Sequence, residues 1–346
     1  MKRNIGFLVV LSALALLAVT SCGRPRLRIY NWTFYTPDTV IAQFEREYNV
    51  KVIYDLFASN EELYAKLKAG GTGYDVIFPS GDYVSLMIQE NLLEKIDRSK
   101  MTNLGNIDPE ILRKVTYDPN MEYSVPYYYG AAGIIVNTAK VPEFDQSWSI
   151  FSREDLRGRM TMLDDMREVM GGALAHLGYS INSKNLAEVI AARDLINNSW
   201  KPNLVKFDSE AFGNGYNSGD FWVVHGYPEN VFDVIKNNSQ LLADTIFFIP
   251  NEGGPAYIDN MCILKGSKNV DLAHKFIDFI HRPQIYAEFV DAFDFPATAN
   301  VAARQYKTGK SIYTEEELIN TELEVDLGHA FEYYERAWFS SIVVGD

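Results

Sequence analysis

From Leu27 onward, short apolar runs alternate with stretches in which apolar positions recur every three or four residues. Leu27-Arg28-Ile29-Tyr30 has the two-residue period of a strand and breaks into Asn31-Trp32-Thr33-Phe34-Tyr35-Thr36-Pro37-Asp38. Val40, Ile41, Phe44 and Tyr48 then fall at helical spacing, which predicts a helix over 39–48 capped by Asp38. Lys51-Val52-Ile53-Tyr54-Asp55 reads as a second strand. Ser59-Asn60-Glu61-Glu62 has capping-box spacing and opens a helix through Leu63 and Leu67 toward Gly70-Gly71. Tyr74-Asp75-Val76-Ile77-Phe78 is a third strand. This order of strands and helices predicts a parallel sheet with helices on its faces. Ligands of such sheets collect beyond the carboxyl ends of the strands, where the loops beginning at Asn31 and Pro79 lie.

Residues 123–137, YSVPYYYGAAGIIVN, read as extended chain around a Gly-Ala-Ala-Gly break that resembles a hinge. A second alternating pattern follows. It comprises a strand at 160–163, the acidic stretch Asp164 to Glu168, a helix onward to His176 and another over 186–197. Strands at 222–224 and 245–249 come next, then an apolar strand after Asp259 and an amphipathic helix over 270–280. Neither an internal repeat nor a low-complexity linker separates the two units. They are expected to form two lobes joined by crossing strands.

The N-terminus changes the picture of location. Lys2 and Arg3 precede an uncharged apolar run from Ile5 to Val19, and Val19-Thr20-Ser21 place small residues before Cys22. This is the pattern of an export signal over 1–21, and V-T-S-C resembles the lipobox of bacterial lipoproteins, which makes Cys22 the acylated first mature residue. Acyl chains would hold the domain at a membrane, each buried CH₂ contributing about 0.8 kcal/mol. The competing reading is an uncut anchor helix; in both, the domain faces outward.

The remaining chain, about 325 residues, suits two domains better than a single core. A hydrophobic content of 47% with 23% charged residues is that of a folded protein rather than a disordered one. The formal net charge of −14, more negative still once Lys2 and Arg3 depart, repels phosphate backbones and argues against nucleic acid as a partner. It favours cations. With Cys22 committed to lipid, Cys262 is alone in an apolar stretch and is expected to be a small buried hydrophobe. The 21 Tyr, 20 Phe and 5 Trp supply faces that attract cations, although most are expected in the core.

No H-E-x-x-H, G-x-S-x-G, Walker loop or Cys-x-x-Cys is present to carry catalysis or a metal. His274 and His281 lie seven apart on one helix, which suits solvated positions better than a shared ion. Asp165 and Glu168, three apart, are expected on one helical face, an arrangement better matched to a shared cation than to two sides of a sugar ring.

Six stretches now identify a resemblance: NWTFYTPD, ASNEELYAKLKAGGTGYDVIFPSGDYV, IDRSKMTNLGNIDPEILRK, LDDMREVMGGALAHLGYS, EGGPAYIDNMCIL and FPATANVAAR. Together they are similar to the spermidine/putrescine-binding proteins of bacterial polyamine ABC importers, from about Ile29 to Arg304. The resemblance implies a type II periplasmic-binding-protein fold: two α/β lobes, each a mainly parallel sheet flanked by helices, with the ligand in the interlobe cleft. It implies a polyamine ligand, a membrane permease as partner, and neither a cofactor nor catalysis. A monomer is expected. The lobes are expected to be 22–131 with 260–302, and 132–259 with 303–346.

Carried over residue by residue, the resemblance matches Trp32, Thr33, Tyr35, Ser80, Asp165, Glu168 and Asp259. Asp259 is expected at one ammonium, Asp165 and Glu168 along the chain or at its other end, and Trp32 and Tyr35 on the methylenes. Other positions depart from the family. Phe34 stands where an acid is often found, Asp82 where an aromatic is, His225 and Tyr257 where tryptophans are, Phe295 where a tyrosine is, and Glu324 in place of a polar amide. These departures leave the choice among putrescine, spermidine and another diamine open. Two other readings fit the sequence less well: ferric ion held by Tyr127, Tyr128 and Tyr129, which alternate in direction on an extended segment, and a secreted hydrolase using Asp165 and Glu168.

Overall fold

Two residues, Ala131 and Ala132, separate strands that belong to different sheets. The computed structural model describes residues 24–33, 35–57, 59–71 and 73–343. The expected export signal, Cys22 and Phe34 lie outside them.

Before that passage come β1 (Arg26–Trp32), β2 (Lys51–Phe57), β3 (Val76–Ile77) and β4 (Ser124–Gly130). The first three are parallel, with β1 between β2 and β3, as the strand–helix alternation predicts. After it come β5 (Gly133–Asn137), β6 (Met160–Met162), β7 (Leu204–Phe207), β8 (Val223–Gly226) and β9 (Thr245–Phe248), a five-stranded sheet in the order β7-β6-β8-β5-β9. The chain then returns through Pro250–Gly254 to the first sheet as β10 (Pro255–Ile263), which pairs with β3 and β4, and with β11 (Glu322–Leu323). Both sheets are mixed. The strands that follow a passage between sheets, β5 and β10, run antiparallel to β8 and β9, and to β3 and β4. The expected lobe boundary at 259/260 falls inside β10, which is hydrogen-bonded in the first sheet from its first residues.

Local chemistry explains the helices that flank these strands. Ser59 Oγ accepts the N–H of Glu62 at 3.1 Å, so the capping signal is used at the helix Asn60–Lys68. Asp38 is instead the first helical residue of Asp38–Tyr48, where its charge favours the positive helix start; Pro37 occupies the cap and offers no side-chain acceptor. Val40 and Phe44 of that helix bury against Phe276 and Phe279 of the helix Val270–Ile280. In the second lobe, Trp148, Trp200, Val169 and Leu174 form the centre of a separate core, onto which the C-terminal helix from Phe331 lays Tyr334 and Trp338. Cys262 is fully buried, in the small core beside Ile77 and Leu93.

His274 and His281 correct the expectation of solvated positions, being 1% and 0% exposed. His274 accepts the Asp97 N–H at 2.8 Å and pairs through its other nitrogen with the Val270 carbonyl, while His281 stacks on Tyr286. Their helix is covered on more than its apolar stripe. No helix among the described residues is long and apolar enough to cross a membrane.

Candidate functional site

Asp259 sits where the β10–β4 register slips, a bulge between Asp259 and Asn260 that re-aims the strand's side chains. It is 4% exposed and accepts the hydroxyls of Tyr35 at 2.5 Å and Ser80 at 2.6 Å. Burial pushes its pKa up to about 7, and the two donated hydrogen bonds oppose that rise. Ser80 follows β3 and is fixed by Asn60, whose Nδ2 donates to Ser80 Oγ at 2.9 Å and whose Oδ1 accepts the Ser80 N–H at 3.1 Å. The loops after β1 and β3 thus meet β10, as the strand-end rule expects.

Around Asp259 the walls are aromatic. Trp32 is half-buried at the end of β1, its indole N–H donating to the Phe78 carbonyl at 2.8 Å and its ring 4.4 Å from Phe57. Tyr35 presents an edge to Tyr127 and Tyr128. Phe295 stacks on Tyr128 at 4.6 Å and is buried behind Tyr35, in the wall rather than at the opening. Thr33 is exposed. Tyr257, two residues before Asp259 and on the same side of the strand, is half-buried and meets the edge of Tyr227 at 5.9 Å.

The opposing lobe supplies more acids. Asp165 caps the helix Met166–His176, accepting the N–H groups of Arg167 at 2.9 Å and Glu168 at 3.1 Å. It therefore does not share a helical face with Glu168, because its side chain turns back onto the helix start. Burial raises the Asp165 pKa against those bonds. Glu168 is 4% exposed; Oε1 accepts the Tyr227 hydroxyl at 3.3 Å and Oε2 has no hydrogen-bond partner. Burial, then the charge of Asp165, holds its carboxyl well above the usual range. His225, on β8, is fully buried 3.7 Å from Glu168 Oε2, with its ring edge on Trp148. Burial pushes its pKa down to about 3, so it backs Glu168 as a neutral ring.

Asp82 and Glu324 close the ring of acids. Asp82 stands in the first turn of the helix Gly81–Gln89, and burial raises it to about 6 against the opposing charge of Arg167. Glu324 follows β11; burial raises its carboxyl well above the ordinary range, and Glu168, Asp82 and Asp165 add to the rise while Arg167 opposes it. Asp82 Oδ1 and Glu324 Oε1 are buried without a partner. Expected residues from both lobes therefore converge, with carboxylates in excess.

Three participants escaped the sequence. Arg167 is the cation within this field, Tyr227 donates to Glu168, and Glu229 is a further carboxylate with a buried, unpartnered Oε2. Tyr227-Pro228-Glu229 directly follows β8, so the strand-end rule applied to the second sheet would have found two of them. The tyrosine run is divided among separate partners. Tyr127 donates to the Tyr35 carbonyl, Tyr128 meets Tyr313 at 2.6 Å, and Tyr129 meets Thr321 at 3.1 Å. Those three hydroxyls do not face one ion.

Two α/β lobes that enclose a cleft lined from both sides define an extracellular solute-binding protein. The chain belongs to the bacterial extracellular solute-binding protein family, whose pattern matches residues 39–315. Within it the chain groups with the spermidine/putrescine-binding proteins. It is 36% identical over 331 residues to the spermidine/putrescine-binding periplasmic protein of Escherichia coli (strain K12), covering 93% of both chains. It is 31% identical over 308 residues to the putrescine-binding periplasmic protein PotF of the same organism, covering 84% of this chain and 83% of that one. The crystal structure of the TpPotD lipoprotein of Treponema pallidum matches with a TM-score of 0.89 at 49% identity, covering 92% of this chain and 99% of the other.

Proposed function

We propose that this protein binds a polyamine, putrescine or spermidine or both, and delivers it to an ABC-type permease by closure of its lobes, without catalysis. The observation that carries this reading is the pair Asp259 and Glu168, each 4% exposed, flanked by carboxylate oxygens of Asp82 and Glu324 that have no partner. A buried carboxylate lacking a donor is costly, and an ammonium removes that cost by supplying both charge and N–H groups. In this reading Asp259 receives one ammonium, Asp165 and Glu168 receive charge farther along, and Trp32, Tyr35 and Tyr257 cover the methylenes. The relatives' names support the ligand class.

The lobes of this reading are 22–131 with 255–323, and 132–254 with 324–346; β11, expected in the second lobe, belongs to the first sheet. The boundary precedes Pro255 because β10 pairs with β4 and β11. Acylation at Cys22 holds a monomeric receptor at the membrane; the Treponema relative is likewise called a lipoprotein.

Isothermal titration of the refolded, ligand-stripped mature chain with putrescine, spermidine, spermine and cadaverine tests the reading. One-to-one binding at micromolar affinity or better, about −8 kcal/mol, is expected for putrescine or spermidine. Failure to bind all four amines would overturn it.

A further inference from the structure

The loop after the helix Met166–His176 grips the chain where it leaves β11 for the second lobe. Tyr334 of the C-terminal helix shares its hydroxyl hydrogen between the carbonyls of Ile181 and Ser183, at 3.1 and 2.8 Å, and so fixes the loop. From there Asn182 reaches both neighbours of Glu324. Its Nδ2 donates to the Leu323 carbonyl at 2.8 Å, and its Oδ1 accepts the Val325 N–H at 3.1 Å. The same Oδ1 accepts Arg167 Nη2 at 2.7 Å, while Arg167 Nη1 donates to the Val325 carbonyl at 3.1 Å. From the first lobe, the Ala256 carbonyl of β10 accepts the N–H of Glu324 at 3.0 Å. Leu323-Glu324-Val325 is therefore tied to both lobes, and Asn182 is the side chain that holds it on either side of the carboxylate-bearing residue.

An asparagine that satisfies loop backbone groups ordinarily does nothing more. Two observations set this one apart. The residue it brackets carries a carboxylate whose Oε1 is buried without a partner. Arg167, whose charge acts on Glu324, spends its guanidinium elsewhere: on Asn182, on the Val325 carbonyl and over the Tyr334 ring at 5.7 Å. A guanidinium released from those partners would be drawn onto a nearby carboxylate, because charge-assisted pairs are stronger than bonds to neutral oxygens. A carboxylate so neutralised would no longer attract an ammonium.

We propose that Asn182 is a positioning residue for amine binding, which fixes Glu324 in the cleft and keeps Arg167 from closing on its carboxylate. The inference rests on the polyamine reading above. Asn182 does not touch the amine in this account. It acts from the second lobe, through Glu324, on a segment whose remaining hydrogen bond belongs to the first. The resemblance assigns Asn182 no role, since it lies just beyond the stretch LDDMREVMGGALAHLGYS.

The test is a double-mutant cycle: calorimetric titration of putrescine and spermidine into the ligand-stripped native protein, Asn182→Ala, Glu324→Gln and the double variant, with thermal melts of each. Asn182→Ala and Glu324→Gln are each expected to bind the amines that the native protein binds roughly 10-fold more weakly. The double variant is expected to bind about as weakly as Glu324→Gln alone, because the carboxylate through which Asn182 acts is gone. Losses that multiply would mark Asn182 as an ordinary loop residue and overturn the proposal, as would native affinity in either single variant. Where Asn182→Ala fails to fold, Asn182→Asp takes its place in the cycle under the same criterion; it keeps acceptors for Arg167 and Val325 and lacks only the donor to Leu323. A native protein that binds neither amine, nor spermine nor cadaverine, would instead overturn the polyamine reading on which this rests.

Discussion

The carboxylate of Asp165 accepts the backbone N–H of Glu168, so two acids that look equivalent in the sequence perform different work. One is anchored to the helix start by two N–H bonds, and the other projects onward with Oε2 unpartnered. Asp165→Ala is therefore expected to lose about 1 kcal/mol of stability with its cap. Asp165→Asn keeps a capping oxygen and isolates the charge. Glu168→Gln should leave the thermal midpoint of the ligand-free protein unchanged or raised, while weakening amine binding roughly 10- to 100-fold. Melting curves and titrations on the three variants separate the roles; an equal stability loss in Glu168→Gln and Asp165→Ala would refute the division.

Asp259→Asn is expected to weaken putrescine and spermidine by about 100-fold or more, because the ammonium would meet a neutral amide in a dry site. The empty fold should persist. Tyr35 and Ser80 carry hydroxyls that can turn to suit an amide, and the buried charge is gone. Calorimetric titration beside a thermal melt checks both halves, and unchanged affinity would remove Asp259 from the site.

Stability of the empty protein should fall as pH rises from about 4 to about 7. Asp259 and Glu229 have folded-state pKa values raised to about 7, above those of the unfolded chain, so in that window the native state binds more protons. Their protonated forms cost little below the window; above it both states are ionised and the full penalty, on the order of a few kcal/mol, remains. Saturating amine should flatten the slope. Thermal midpoints at several pH values with and without spermidine measure this, and a ligand-free midpoint that rises through the window would contradict it.

Gly253→Ala should lower stability by about 1–3 kcal/mol. Gly253 has φ of +83°, and an added Cβ would strike the Asn320 carbonyl. It lies in the return from β9 to β10, so denaturant unfolding reports on the joint between lobes. An unchanged midpoint would mean that the Asn320 loop yields.

Local signals carried much of this architecture. The β1–β3 unit, the helix Val270–Ile280 and the break at Gly130-Ala131-Ala132-Gly133 follow from periodicity and from small residues between two apolar runs. The passage between sheets is legible because neither flanking strand can continue through it. What escaped was non-local. The π-helical turn Ile196–Trp200 replaces the end of the expected helix over 186–197, allowing Trp200 to reach Trp148, a partner far away in sequence. Asp165 looked helical because spacing cannot show a side chain turning back to cap. His225 and Phe295 lie among the other expected residues, yet burial puts the first behind Glu168 and the second behind Tyr35. Glu229 carries no family signal, and only its buried, unpartnered Oε2, beside a Tyr227 that reaches Tyr257 of β10, distinguishes it from an ordinary helix-start glutamate.

The return ending at Pro255 directly precedes Tyr257 and Asp259 in the sequence, and Tyr257 is paired with Gly130, the residue before the passage at Ala131-Ala132. In the receptor proposed above, an amine at Asp259 would pull at the short arm of a lever. A small contraction at these residues would be magnified at the far rims of the lobes, the surfaces a permease could touch. Occupancy of a deep, nearly dry site would be broadcast as a change of outline at the edge of the molecule, and a partner need never contact the amine to know that it is there.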